Sequence, residues 1–245
     1  MNSIKSYVHS QFATIKQNPE KAPQLPCLPA PGLSIIPGFV ATKQEHLILK
    51  TTYNHWTRET ISVSRAEGED STLPEPFLEI VEAQRKDILK SLGLKRDVRD
   101  WILKTTGEEG REVMRLRAEK HFLGTDIYRA LDANDTEQWK VEVERHLLDH
   151  TDYQLTVHPT PTVPYAPDLR LQNRILGFEK GILWNERPVA VMTEGLRAKR
   201  TDHVHVAQGM DILLVVGMAF IRREKQKGDE DEDELFGAVP GLTGV

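Results

Sequence analysis

Between His46 and Val206 apolar residues recur at every second position, in runs too short for helices. Leu47 and Leu49 alternate with His46, Ile48 and Lys50; Ile61 and Val63 alternate with Ser62 and Ser64; Leu78 and Ile80 alternate with Phe77, Glu79 and Val81. Met114, Leu116 and Ala118 fall on one face of a strand, Arg115 and Arg117 on the other. The same spacing returns at Val141 and Val143 after Trp139, at Leu155 and Val157 after Tyr153, and at Leu169 and Leu171. Ile182-Leu183-Trp184 and Val189-Ala190-Val191-Met192 flank Asn185-Glu186-Arg187, a polar turn suited to a hairpin. A period of two marks strands with one buried face. A long series of them predicts an antiparallel sandwich or barrel. Phe77–Leu92 and Gln138–Leu148 also contain helical spacings, and their pattern leaves strand and helix both open.

The pattern changes after Val206. From Ile212 to Ile221 every residue except Gly217 is hydrophobic. A surface helix keeps a polar face, so a helix apolar all round is buried on all sides. The run falls well short of the roughly 20 residues a bilayer crossing needs. A sheet that closes on itself loses its edges, and a fully apolar helix can fill the lumen. The expected fold is therefore mainly β: a closed antiparallel barrel of about a dozen strands around a hydrophobic C-terminal helix, with Arg222-Arg223-Glu224-Lys225 leaving at the mouth.

Three segments follow. Residues 1–37 hold Pro19, Pro23, Pro26, Pro29, Pro31 and Pro37, which predict an extended arm. Ile4, Val8, Phe12 and Ile15 ahead of them allow a weak amphipathic helix. Residues 38–227 form the barrel domain. Residues 228–245 open on the acidic run Asp229–Glu234 and are expected to be a disordered tail. The chain has 32 Lys and Arg against 37 Asp and Glu, and six of those acids belong to that run, so the rest is close to neutral. Such balance lacks the basic footprint that duplex binding requires, and no nucleic acid partner is expected. Cys27 is the single cysteine and has no intrachain partner. No signal-peptide pattern opens the chain. A cytoplasmic location is expected, with peripheral membrane and nuclear placement as the variants.

Val204-His205-Val206-Ala207-Gln208-Gly209-Met210-Asp211, together with the apolar run after it, resembles the C-terminal strand, turn and helix of the LURP-one-related family. Gly181–Ala190 resembles that family's hairpin with a Pro-Val-Ala element, and Thr42–Lys50 its first strand. Lys95–Asp100 followed by Glu112–Arg117 resembles its basic strand, turn and return strand, with the turn lengthened here by Trp101–Thr106. Gln208 stands where the family usually has proline, and His203 replaces a common tyrosine. The resemblance spans about Gly38 to Lys225. It implies the tubby C-terminal-like barrel shared with phospholipid scramblases, and by analogy a role at lipid headgroups or membrane surfaces.

The candidate chemistry is sparse. His146 and His150 would share a helix face suitable for a metal, but a strand or hairpin end explains them equally, and no third ligand is evident. His203 and His205 share a strand face and should point away from the lumen. No G-x-S-x-G, Walker-type loop or G-x-G-x-x-G occurs. Neither a catalytic residue nor a metal ligand is assigned, and no cofactor is expected. Lys90–Lys120 contains nine Lys/Arg. Within it, Lys95, Arg96 and Arg99, with Arg111, Arg115 and Arg117 on one strand face, form the candidate site for an anionic headgroup. The alternative is a solvated exterior laced with ion pairs.

The expected function is a non-enzymatic module that binds an anionic phospholipid or phosphoinositide surface. A protein–protein adaptor acting through the arm or the acidic tail, and a metal-dependent hydrolase using His146 and His150, are the alternatives.

Overall fold

The computed structural model describes residues 24–54, 57–66, 75–83, 96–107, 110–121, 125–146, 150–159, 164–175, 178–194 and 201–237. The expected amphipathic helix over Ile4–Ile15 lies outside them. Among the described residues the alternating runs form twelve strands: β1 Glu45–Asn54, β2 Thr57–Arg65, β3 Pro76–Glu82, β4 Arg96–Thr105, β5 Glu112–His121, β6 Asp126–Leu131, β7 Glu137–His146, β8 His150–Val157, β9 Leu169–Ile175, β10 Phe178–Trp184, β11 Arg187–Glu194 and β12 Thr201–Val206. Both ambiguous segments resolve as strand where they are described, at β3 and β7.

All pairings are antiparallel, in the order β8-β7-β6-β5-β4-β3-β2-β1-β12-β11-β10-β9. The first strand pairs with the last, Leu47 opposite Val204. The sheet therefore curls into a nearly closed barrel, with β8 and β9 adjacent but without a ladder between them. At the β10–β11 hairpin Asn185 and Glu186 have φ of 49° and 63°. That is the two-residue turn whose twist matches the flanking strands.

Leu47, Leu49, Val63, Leu78, Leu103, Leu116, Tyr128, Trp139, Val141, Val204 and Val206 all point into the lumen and are buried. The helix α1, Ile212–Gly237, fills it. From Met210 to Ile221 every residue is buried. Gly217 sits where a Cβ would approach Trp139 Cζ2 to 2.7 Å, so the indole occupies the space a side chain would take. Phe220 meets Trp101 edge-on at 5.1 Å between centroids.

Two features differ from the sequence reading. The helix continues through Asp229–Glu234 to Gly237, where an unstructured tail was expected at 228. Extending a helix already nucleated and packed costs little per residue, and the acidic run joins it. The described part of the proline-rich arm, residues 24–37, is also not a separate appendage. Leu25, Leu28, Leu33 and Ile35 are part of the core. Leu28 N–H donates to Gln208 C=O at 2.9 Å, Leu33 N–H to Gly209 C=O at 2.8 Å, and Ile212 N–H to Phe39 C=O at 2.7 Å. Gly32 and Gly209 make this approach possible: both have positive φ, and a Cβ on Gly32 would collide with the Gly209 carbonyl.

Candidate functional site

The helix enters the lumen under one carboxylate. Asp211 is completely buried. Its Oδ1 accepts from Leu214 N–H at 2.9 Å, closing the first turn as an N-cap. Its Oδ2 accepts from Ile35 N–H at 2.8 Å and Ile36 N–H at 3.0 Å, so one side chain ties arm to helix. Burial pushes its pKa up to about 6 against the pull of those backbone donors.

At the other end the lumen is lined by charge. On five strands the inward position two residues beyond the last apolar one is ionisable: Glu59 beside Ile61, Glu82 beside Ile80, Arg99 beside Trp101, Asp126 beside Tyr128, Asp202 beside Val204. The helix answers with Arg222, Arg223, Glu224 and Lys225. Arg223 bonds Asp202 at 2.9 Å, and Lys225 lies 3.7 Å from Asp126, both side chains 3% exposed. Burial raises the Asp202 pKa, opposed by Arg223 and Arg222. Arg222 is buried as well. The charged exit thus lies within the barrel end. A cleft of about 80 Å³ opens there, rimmed by Glu59, Glu82, Arg99 and Glu224 over Trp101 and Phe220.

The structure divides the basic set. Lys95 lies outside the described residues, and Arg96 opens β4. Arg99 faces inward to the cleft, because β4 runs on through Trp101 to Thr105 and the expected turn at Asp100 does not form. β4 ends only at Thr105 and β5 begins at Glu112, and Arg111 stands exposed just ahead of β5. A register shift next to Lys104 leaves Val113 and Met114 both buried, so the alternation slips by one. Glu112, not Arg111, joins Arg115 on the outer face. Arg115 bonds Glu112 at 2.9 Å and Asp135 at 3.0 Å. Arg117 grips Asp100 through two bonds, at 3.0 and 3.1 Å. That hydrogen-bonded pairing raises the Arg117 pKa. Next to them Arg129 bonds Glu137 at 2.6 Å, and Lys140 bonds Glu142 at 2.7 Å. The outer face of β4–β7 is a ladder of matched charges.

His146 and His150 end β7 and begin β8, paired across a hairpin rather than one turn apart on a helix. His203 and His205 do lie on the face opposite Val204 and Val206, but His205 is fully buried. A third imidazole, His46 of β1, stacks on His205 at 4.2 Å between centroids and lies 2.9 Å from His203, Nε2 to Nδ1. Sequence reasoning missed His46 because the register of β1 against β12 brings it there from 157 positions away. Among the described residues, no group of three or more His, Cys, Asp or Glu is placed to hold a metal ion.

Burial, then the neighbouring His205 and His203, lower the His46 pKa from 6.5 to about 3. A folded pKa below the unfolded one favours the neutral ring. The stability it brings is complete above pH 6.5 and lost as pH falls toward 3. Relative to His46→Gln, the wild type should lose stability across that window with a slope of at most about 1.4 kcal/mol per pH unit. Urea melts of both chains at pH 7, 5 and 4 measure it, and parallel profiles would refute the assignment.

The X-ray structure of a protein from Arabidopsis thaliana is similar to 80% of this chain and 99% of its own, at 15% identity and a TM-score of 0.48. No family model matches the chain, and no curated protein does either.

Proposed function

We propose that this chain is a non-enzymatic barrel of the LURP-one-related, tubby C-terminal-like kind that works by recognition at its outer surface. The observation that carries the reading is the occupied lumen: the space a β-barrel offers to an enclosed ligand is taken by the chain's own helix. No described helix is long and apolar enough to cross a membrane. Recognition therefore falls to the exterior, and an anionic phospholipid or phosphoinositide surface is the target proposed for Arg111, Arg115 and Arg117. Arg111 is exposed, and the partly exposed pairs of Arg115 and Arg117 are each worth at most about 1 kcal/mol. Phosphate oxygens can replace those carboxylates at little cost.

The test is co-sedimentation with vesicles of phosphatidylserine and phosphoinositide at low salt. The wild type should pellet, and the R111A/R115A/R117A variant should bind roughly a hundredfold less, since each of the three cations near such a surface contributes about 1 kcal/mol. If both stay in the supernatant, the membrane reading is abandoned. The charge ladder favours a second reading, a protein adaptor, because a surface of alternating sign suits a protein partner. Pull-downs should compare the full chain with chains lacking 1–23 or 228–245, and equal partner recovery from all three counts against the adaptor. Removing all of 1–37 would delete Leu25, Leu28, Leu33 and Ile35 from the core.

A further inference from the structure

The connection from β8 to β9 carries Pro159, Pro161, Pro164 and Pro167. The last three recur at every third position, which is the repeat of a polyproline II helix. In its described part, Pro164, Tyr165 and Ala166 are exposed to solvent. Tyr165 is 52% exposed and is the one large hydrophobic side chain in that state among the described residues. The other aromatic rings whose burial is described are buried or half-buried; this one stands exposed beside two prolines.

Both ends of the connection are anchored. His158 N–H donates to Gln138 C=O at 2.9 Å, and its ring lies 2.7 Å from Glu137. Leu169 N–H donates to Pro167 C=O at 2.9 Å, and Asn185 N–H to Asp168 C=O at 3.4 Å. Fixed ends lower the ordering cost of docking. The chain bends at Tyr165, so docking requires it to straighten there. Beyond Pro167, Arg170 is 62% exposed and shared between Asp168 at 3.3 Å and Glu186 at 2.9 Å, both exposed too. Exposed pairs of this kind are cheaply exchanged.

We propose that Pro164-Tyr165-Ala166-Pro167, followed by Arg170, is a docking segment for a partner domain of the SH3 type, whose aromatic-lined groove reads P-x-x-P. Proline suits such a groove because its φ is preset and it brings no N–H to desolvate. The two prolines seat between aromatic rings, Tyr165 extends the apolar contact, and Arg170 meets the groove's acidic rim. The proposal is independent of the membrane-surface reading and uses a different part of the barrel.

The test presents the full chain to a panel of purified SH3 and WW domains, with binding followed by fluorescence anisotropy. At least one SH3 domain should bind. The P164A/P167A variant should bind it at least about tenfold more weakly, and R170E should weaken it further as salt is lowered. The melting temperature of P164A/P167A should match the wild type, which separates lost docking from lost folding. The proposal is overturned if no SH3 domain binds, if only WW domains do, or if P164A/P167A binds like the wild type.

Discussion

Val216→Asp should abolish the folded barrel. Val216 lies in the second turn of the helix with no exposed surface, enclosed with Leu213, Leu214, Val215 and Met218. A carboxylate there meets hydrocarbon on every side and has no counter-charge within the apolar layers. Ionised, it forfeits its hydration; protonated, it still buries unpaired oxygens and creates a misfit. The expected loss is about 5 kcal/mol or more, a large part of the roughly 5–15 kcal/mol that holds a domain folded. Val216→Ala grades the effect: it removes only methyl groups and should cost about 1–3 kcal/mol. Circular dichroism melts of the two variants check this. A Val216→Asp protein with the wild-type melting temperature would mean that the helix is not enclosed.

Asp211→Ala is the second large effect, and its origin is polar. Losing the N-cap costs about 1 kcal/mol. The larger part comes from the Ile35 and Ile36 N–H groups, which keep their positions but lose their acceptor at roughly 1–3 kcal/mol each where burial is complete. A total of about 3–5 kcal/mol corresponds to a fall of roughly 10 °C or more in melting temperature for a chain of this size. Asp211→Asn keeps a carbonyl oxygen and should recover part of the loss. The pH dependence has its own sign. With its folded pKa raised to about 6 from 3.8, ionised Asp211 costs stability above pH 6, and that cost disappears as pH falls to 3.8. Asp211→Asn should therefore be closest to the wild type near neutral pH and fall further behind it at pH 4. Equal deficits at both pH values would contradict the buried, raised carboxylate.

The two cases show which parts of this fold the sequence displays. The enclosed helix is legible because burial on all sides leaves a mark in every residue from Ile212 to Ile221. The β10–β11 hairpin is legible from its polar turn, since local chemistry decides it. Asp211 is visible within the motif at the helix start, yet its partners Ile35 and Ile36 lie 176 and 175 positions away, and no local pattern announces them. Arg111 leaves the face of Arg115 and Arg117 for a related reason. A bulge at Val113–Met114 shifts the phase by one, and a strict period of two carries the error outward. Arg99 stands apart from Arg115 and Arg117 because β4 runs on past Asp100. Its true orientation follows from the longer strand, where Arg99, Trp101 and Leu103 share the inner face. The charged layer at the barrel end was legible in principle, two residues past each apolar run. It becomes visible only once the strands are aligned around one axis.

The pairing of β1 with β12 has a consequence for how the protein is made. A chain emerging from the ribosome can join neighbouring strands as hairpins, but the partner of Leu47 is Val204 and the filler of the lumen begins at Ile212. Until the chain has been made through that helix, the inner faces of the twelve described strands lack the filler they pack against. Such long-range closure folds slowly and leaves apolar strands open to wrong neighbours. Truncated chains ending before the helix should therefore be substrates for chaperones, and a cell should complete this barrel only once the helix has been synthesised.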